Sequence, residues 1–172
     1  ANDKPKGARL HVEPDRNFQQ ACYNRCIMRI GIDCRTLLHP EQGERAGIGH
    51  YTTNLVQALV RQYPRSEFVL FIDHRLVNHP LLALLRKRNN VSVVMFPWSQ
   101  YKKILPFGYS HVVVARTLAV ARLDVFHAPA YSIPLQYRGP SVITVHDCAI
   151  YDHPEWFPRG QHFAKEIVVP AS

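Results

Sequence analysis

The chain has 172 residues, of which 47% are hydrophobic and 20% are charged, a composition typical of one soluble globular domain. No apolar run approaches the roughly 18 residues that cross a bilayer, and the polar N-terminus lacks a secretory-signal core, so we expect a cytoplasmic protein. The formal net charge of +8 predicts an anionic partner, whether phosphate, nucleotide, nucleic acid or acidic membrane surface, and does not choose among them.

Residues 1–27 show no sustained periodicity, and we expect a poorly ordered N-terminal extension there. The folded domain is then expected over residues 28–172. The four cysteines form neither a zinc-type Cys-x-x-Cys pair nor a disulfide scaffold, so they are interpreted as reduced thiols: Cys22, Cys26, Cys34 and Cys148.

Strand and helix patterns alternate from residue 28 onward. Short apolar runs predict strands at 28–33, 67–73 and 91–96. Helices are predicted over 48–63, from apolar residues at helical spacing, and over 79–88, opened by a proline. A further helix is predicted over 107–123, although Val112 to Val114 suit a strand equally well. Two more strands, 124–129 and 141–147, carry histidines near their ends, and residues 157–169 fit a closing helix.

This alternation predicts an α/β fold with a Rossmann-like open parallel sheet, helices on both faces and right-handed crossovers. Ligands of such sheets gather at the carboxyl ends of the strands. The segments expected there are residues 33–49, 73–75, 127–131 and 146–152.

The stretch "GERAGIGHYTTNLVQAL" runs from two glycines directly into the first predicted helix. Gly47 and Gly49 let the backbone approach a ligand, and the first amides of a helix have no internal partners. With the helix dipole and the charge of Arg45, this loop suits a phosphate or diphosphate. A lone glycine pair is more often a tight turn and helix cap. The pattern lacks the third glycine of a dinucleotide fingerprint and the Gly-Lys-Ser/Thr of a Walker loop.

Two histidines are expected at the same rim. His146 could hydrogen-bond a substrate hydroxyl or transfer a proton, and Asp147 could orient its ring, although a lone His-Asp pair is more often structural. His127 and Asp33 are further candidates, with rim packing and loop bracing as their structural alternatives. A metal-dependent phosphohydrolase needs more ligands than this pair supplies, so neither a metal nor a cofactor is predicted.

Basic clusters at residues 86–88 and 102–103 fit contact with anionic lipid or a solvated helix face. No nucleic-acid module pattern is present, so nucleic acid is not expected as a partner.

Four segments in order, "MRIGIDCRTLL", "GERAGIGHYTTNLVQAL", "DVFHAPAYSIPL" and "VITVHDCAIYDHPEWFP", resemble the N-terminal half of a family 4 glycosyltransferase of the GT-B architecture. In that family two Rossmann-like domains face each other across a cleft. The N-terminal domain largely binds the acceptor, the C-terminal domain holds the nucleotide sugar, and the reaction is metal-independent and retains the anomeric configuration.

The resemblance assigns donor-diphosphate contact to Gly47, Ile48 and Gly49, and contact with the donor sugar to His146. Tyr51 and Tyr131 join the expected substrate-binding residues through their motifs. The paired-glutamate donor site of the family's second domain is not among these residues, so the chain is expected to need a C-terminal donor domain or a partner chain.

The prediction is therefore the acceptor-side half of a retaining glycosyltransferase, which transfers a sugar from a nucleotide-sugar donor to a sugar or lipid-linked acceptor. Self-association and peripheral contact with the inner face of a membrane are consistent with it. The alternative is a non-catalytic module with the same fold that binds a phosphate-bearing ligand or a protein.

Overall fold

The computed structural model describes residues 27–37, 47–96, 108–130, 133–147 and 155. Residues 1–26 of the extension and the helix expected at 157–169 lie outside them. The strands are β1 (Arg29–Asp33), β2 (Glu67–Ile72), β3 (Val91–Met95), β4 (Val125–Ala128) and β5 (Ser141–Ile143). The α-helices are α1 (Gly47–Gln62), α2 (Pro80–Leu85) and α3 (Gly108–Val120), and His74–Leu76 forms a 3-10 turn after β2.

The five strands form one parallel sheet in the order β3-β2-β1-β4-β5. The middle strand β1 pairs with both β2 and β4, so Ile30 lies opposite Phe68 on one side and Val125 on the other. The predicted Rossmann-like parallel α/β fold is confirmed.

Helices cover both faces of the sheet. On one face α1 and α2 bury Val56, Val60 and Leu82 against Ile32 and Leu70. On the other face α3 buries a second cluster, which contains Val114, Leu118, Phe71, Phe126 and Tyr137. Because β2 is packed on both sides, five of its six residues are buried, as its continuous apolar sequence "FVLFI" requires.

One sequence expectation needed correction, and one element was not anticipated. The last strand, expected over residues 141–147, ends at Ile143, since β4, its one neighbour among the described strands, ends at Ala128, and Ala128 pairs with Ile143. A final backbone bond joins the Thr144 amide to the Ala128 carbonyl at 3.0 Å. The 3-10 turn was not expected; its cap is Asp73, whose carboxylate accepts from the Arg75 amide.

Gly31 in the centre of β1 lies close to Leu123, which follows α3, and to two aromatic rings of the neighbouring strands. A Cβ there would lie 3.0 Å from the Phe71 ring and 3.2 Å from the Phe126 ring, and it would overlap Leu123. The second hydrophobic cluster therefore depends on the missing side chain at this position.

We expect Gly31→Ala to lower the free energy of unfolding by about 1–3 kcal/mol, because overpacking forces buried side chains away from their preferred rotamers. Gly47→Ala is the matched control, since a Cβ at Gly47 meets nothing within 4 Å. Its stability should be unchanged or higher by about 0.5 kcal/mol. Urea unfolding followed by circular dichroism measures both, and equal stabilities of the two variants would contradict the close approach at Gly31.

Candidate functional site

The strand order places a crevice at the carboxyl ends of β1 and β4. From β1 the chain crosses through α1 to β2, whereas β4 is reached through α3 on the opposite face. Neighbouring strands whose connections leave in opposite directions leave an opening between them, which is where ligands bind in doubly wound sheets. The first turn of α1 and the residues after β4 and β5 lie at this edge.

A chain of hydrogen bonds joins three of these elements. The Tyr51 hydroxyl of α1 lies 3.3 Å from the Thr144 hydroxyl after β5, and Thr144 lies 2.8 Å from Nε2 of His127 in β4. Tyr51 and His127 were predicted as site residues, and the structure brings them together through one shared partner. Thr144 was missed, because a single threonine after a strand carries no sequence signal for function.

Burial lowers the pKa of His127 below its usual value of 6.5, because the protonated ring loses hydration in the half-buried position. The neutral imidazole has one donor nitrogen and one acceptor nitrogen. Thr144 can therefore donate to His127 while accepting from Tyr51, or the chain can run in the reverse direction. The three side chains form an uncharged unit that can either donate to or accept from a ligand.

His146 lies beside this chain, held by two contacts. Its Nε2 donates to the Pro129 carbonyl at 2.6 Å, and its ring meets the Tyr51 ring edge-on, with centroids 4.9 Å apart. A carbonyl only accepts, so Nε2 carries a hydrogen, and in the neutral ring Nδ1 is the basic nitrogen. The sequence hypothesis gave an orienting role to Asp147, which is exposed, and that role stays a prediction. Pro129 and Tyr51 also orient the His146 ring.

Asp33 at the end of β1 holds the loop that follows. Its carboxylate accepts from the Arg35 amide at 3.0 Å and from Nε of the same arginine at 2.9 Å. The Arg35 guanidinium also lies 5.1 Å from the centroid of Phe96, a cation–π contact. Burial alone would lower the pKa of Arg35, but the neighbouring charges of Asp33 and Asp73 outweigh it and raise that pKa. These contacts match the bracing alternative for Asp33.

The same arrangement recurs after β2. The Asp73 carboxylate accepts from the Arg75 amide at 2.7 Å and from the Arg75 Nε at 2.8 Å. Two adjacent strands thus end in the same Asp-x-Arg turn, in which each aspartate binds the amide and the side chain two residues later. Neither arginine was singled out from the sequence.

The first turn of α1 is fixed to the end of β1 through two threonines. The buried Thr52 hydroxyl donates to the Ile48 carbonyl at 2.9 Å and accepts from Thr36, also at 2.9 Å. Gly49 is buried in this turn, whereas Gly47 is exposed and its surroundings are open. Gly47 is therefore the glycine that faces a possible ligand. Arg45 and Tyr131 lie outside the described residues.

Cys34, between Asp33 and Arg35, is a fully buried free thiol. Burial and the Asp33 charge raise its pKa, which disfavours the reactive thiolate.

In the described part of the chain, no three His, Cys, Asp or Glu side chains cluster as metal ligands do. Nor is any helix within it long and apolar enough to span a bilayer.

Comparison of the chain with protein-family models, with curated proteins and with solved structures finds no match. Function must therefore be inferred from the side chains at the carboxyl edge of the sheet.

We expect the ring of His127 to titrate below pH 6.5 in the folded protein. The unfolded chain then binds this proton more tightly than the folded protein does. The free energy of unfolding is therefore highest above pH 6.5 with respect to this group, and it falls as the pH drops through and below that value. Histidine NMR measures the pKa directly. The His127→Gln variant should have a shallower loss of stability between pH 7 and 5, and a His127 pKa of 6.5 or above would contradict the expectation.

Proposed function

We propose that this chain is the acceptor-side half of a retaining glycosyltransferase that uses a nucleotide-sugar donor. The observation that carries the proposal is the convergence of Tyr51, Thr144, His127 and His146 at the topological switch point, beside the first turn of α1. Uncharged hydroxyl and imidazole groups in a crevice suit the hydroxyl-rich surface of a sugar, because each can both donate and accept hydrogen bonds.

The start of α1 supplies the second part of the site. Its amides have no partners within the helix, and the open space at Gly47 leaves room for an anion against the positive end of the helix dipole. A donor diphosphate bound there would bring the attached sugar towards Tyr51, one helical turn further on. His146, whose Nε2 donates to the Pro129 carbonyl and whose ring packs on Tyr51, would lie beside that sugar.

Full activity on this proposal requires a C-terminal donor domain or a partner chain that closes the cleft. The acceptor would be a sugar or a lipid-linked sugar, so the reaction would take place in the cytoplasm or at the inner face of a membrane. No metal is required in the proposed chemistry, because the helix terminus carries the diphosphate charge.

The diphosphate site can be tested by changing charge without changing shape. Gly47→Glu should weaken binding of pyrophosphate and UDP-glucose about tenfold or more, because a carboxylate would occupy the anion position. The same substitution should raise helix stability by about 0.3–1 kcal/mol, because an acidic residue favours a helix N-terminus. Gly47→Gln is the matched control: it fills the same space without the charge and should bind more tightly than Gly47→Glu.

Binding is measured by NMR titration of the full chain, with amide shifts expected at Gly47, Ile48 and Gly49. The catalytic assignment is then tested by kinetics with the donor half supplied, where His146→Ala should lower the turnover rate by about 10²-fold. Tyr51→Phe, which keeps the ring beside His146 and removes only the hydroxyl, should lower it less. If both glutamate and glutamine variants bind like the unmodified chain, the glycines serve only as a helix start and the binding-module alternative is the better one.

A further inference from the structure

A cavity of about 340 Å³ lies at the opposite, amino edge of the sheet, between the end of α3 and the segment that leads into β5. Its apolar wall is formed by Ala115, Leu118 and Leu123. Small-molecule pockets range from about 300 to 1,000 Å³, so this one suits a small ligand. It is separated from the proposed glycosyltransferase site by the length of β4.

Two arginines line the mouth of the cavity. Arg122 and Arg138 are both exposed, and neither takes part in an ion pair with another described residue. None of the described residues that line the cavity is acidic. The mouth therefore carries two positive charges that the described part of the protein does not neutralise.

Arg122 also adopts a backbone conformation that arginine seldom takes. Its φ of 50° lies in the left-handed region, directly after the last turn of α3, where glycine is the usual residue. Helix termination alone would be served better by glycine. Arginine at this position therefore carries a backbone cost that glycine would avoid.

Inside the cavity the Tyr137 side chain is 8% exposed, with its ring packed edge-on against Phe126 at 5.7 Å. Its hydroxyl lies against Gly139, where any Cβ would collide with it, and it forms no hydrogen bond with another described side chain or backbone group. Burial raises the pKa of this phenol, so it remains a hydrogen-bond donor at neutral pH. The hydroxyl of this cavity-lining residue is therefore available to donate a hydrogen bond to a ligand.

We propose that this cavity binds a small carboxylate with a short apolar chain, whose head is held by Arg122, Arg138 and the Tyr137 hydroxyl. The planar carboxylate matches the donor geometry of guanidinium groups. The apolar wall favours a ligand with a hydrocarbon chain over a free inorganic anion. The volume of about 340 Å³ limits that chain to a short one. The assignment is independent of the glycosyltransferase proposal.

Octanoate, 1-octanol and inorganic phosphate separate the contributions of charge and chain. In an NMR titration of the full chain, octanoate should bind with a Kd of about 1 mM or tighter and shift the amides of Leu118 and Gly139. The alcohol, which has the chain without the charge, and phosphate, which has the charge without the chain, should each bind at least about fivefold more weakly.

Variants then test the named groups. Arg122→Gly should weaken octanoate binding about threefold to tenfold, while it raises the melting temperature by about 2–4 °C through relief of the left-handed backbone. Arg138→Gln and Tyr137→Phe should also weaken binding, whereas Arg61→Gln, an equal charge change on the opposite face of the sheet, should not. Equal binding of octanoate and octanol, equal binding of phosphate and octanoate, or undiminished binding by Arg122→Gly would each overturn the proposal.

Discussion

The double pairing of β1 is the constraint on which the rest of the fold depends. Because β1 pairs in parallel with β2 and with β4, the chain has to return to the same end of the sheet before each of these strands begins. The connection through α1 to β2 lies on one face of the sheet, and the connection through α3 to β4 lies on the other face. The helices are thereby divided between the two faces, and the crevice opens between the carboxyl ends of β1 and β4. A glycine at position 31 makes this packing possible, because the rings of Phe71 and Phe126 lie close to the position that its Cβ atom would take.

The carboxyl edge consists of two halves with different chemistry. After β1 and β2, the arginines and aspartates of the Asp-x-Arg turns neutralise each other, and Arg35 is covered further by Phe96. After β4 and β5, the groups are hydroxyls and an imidazole, joined by hydrogen bonds that can reverse direction. The ion-paired half has little capacity left for a charged ligand, so recognition of neutral hydroxyls belongs to the half around Thr144. Negative charge is better met by the start of α1.

The alternation of strand and helix could be read from the sequence, because strands buried on both faces demand runs such as "FVLFI" and helices demand spaced apolar residues. The edge on which Asp33, His127 and His146 would lie followed from the same pattern. The contacts among them did not. Thr144 joins Tyr51 to His127 directly after β5 ends at Ile143, and Ile143 pairs with Ala128, the last residue of the neighbouring strand.

The glycine pair illustrates the same limit. Sequence spacing treats Gly47 and Gly49 alike, whereas the turn of α1 buries one and exposes the other. Likewise, the cavity beside Arg122 could not be predicted from the sequence. Its lining residues come from segments before and after β4 in the chain, and these segments meet only when α3 packs on the sheet. Residue type and spacing predict elements and edges; the pairing of side chains depends on where each strand ends.

A row of aromatic rings connects the two edges of the sheet. Tyr137 packs on Phe126, Phe126 meets Phe71 at 5.9 Å, and Phe71 stacks on Phe96 at 4.8 Å, beneath the Arg35 guanidinium. All four rings belong to the cluster beneath α3, where close packing leaves little room for a second arrangement. Coupling between two sites requires an element with two states that both ligands bias. A ligand against Tyr137 should therefore act on the carboxyl edge by stabilising the folded state as a whole, through mass action, rather than by switching it between conformations.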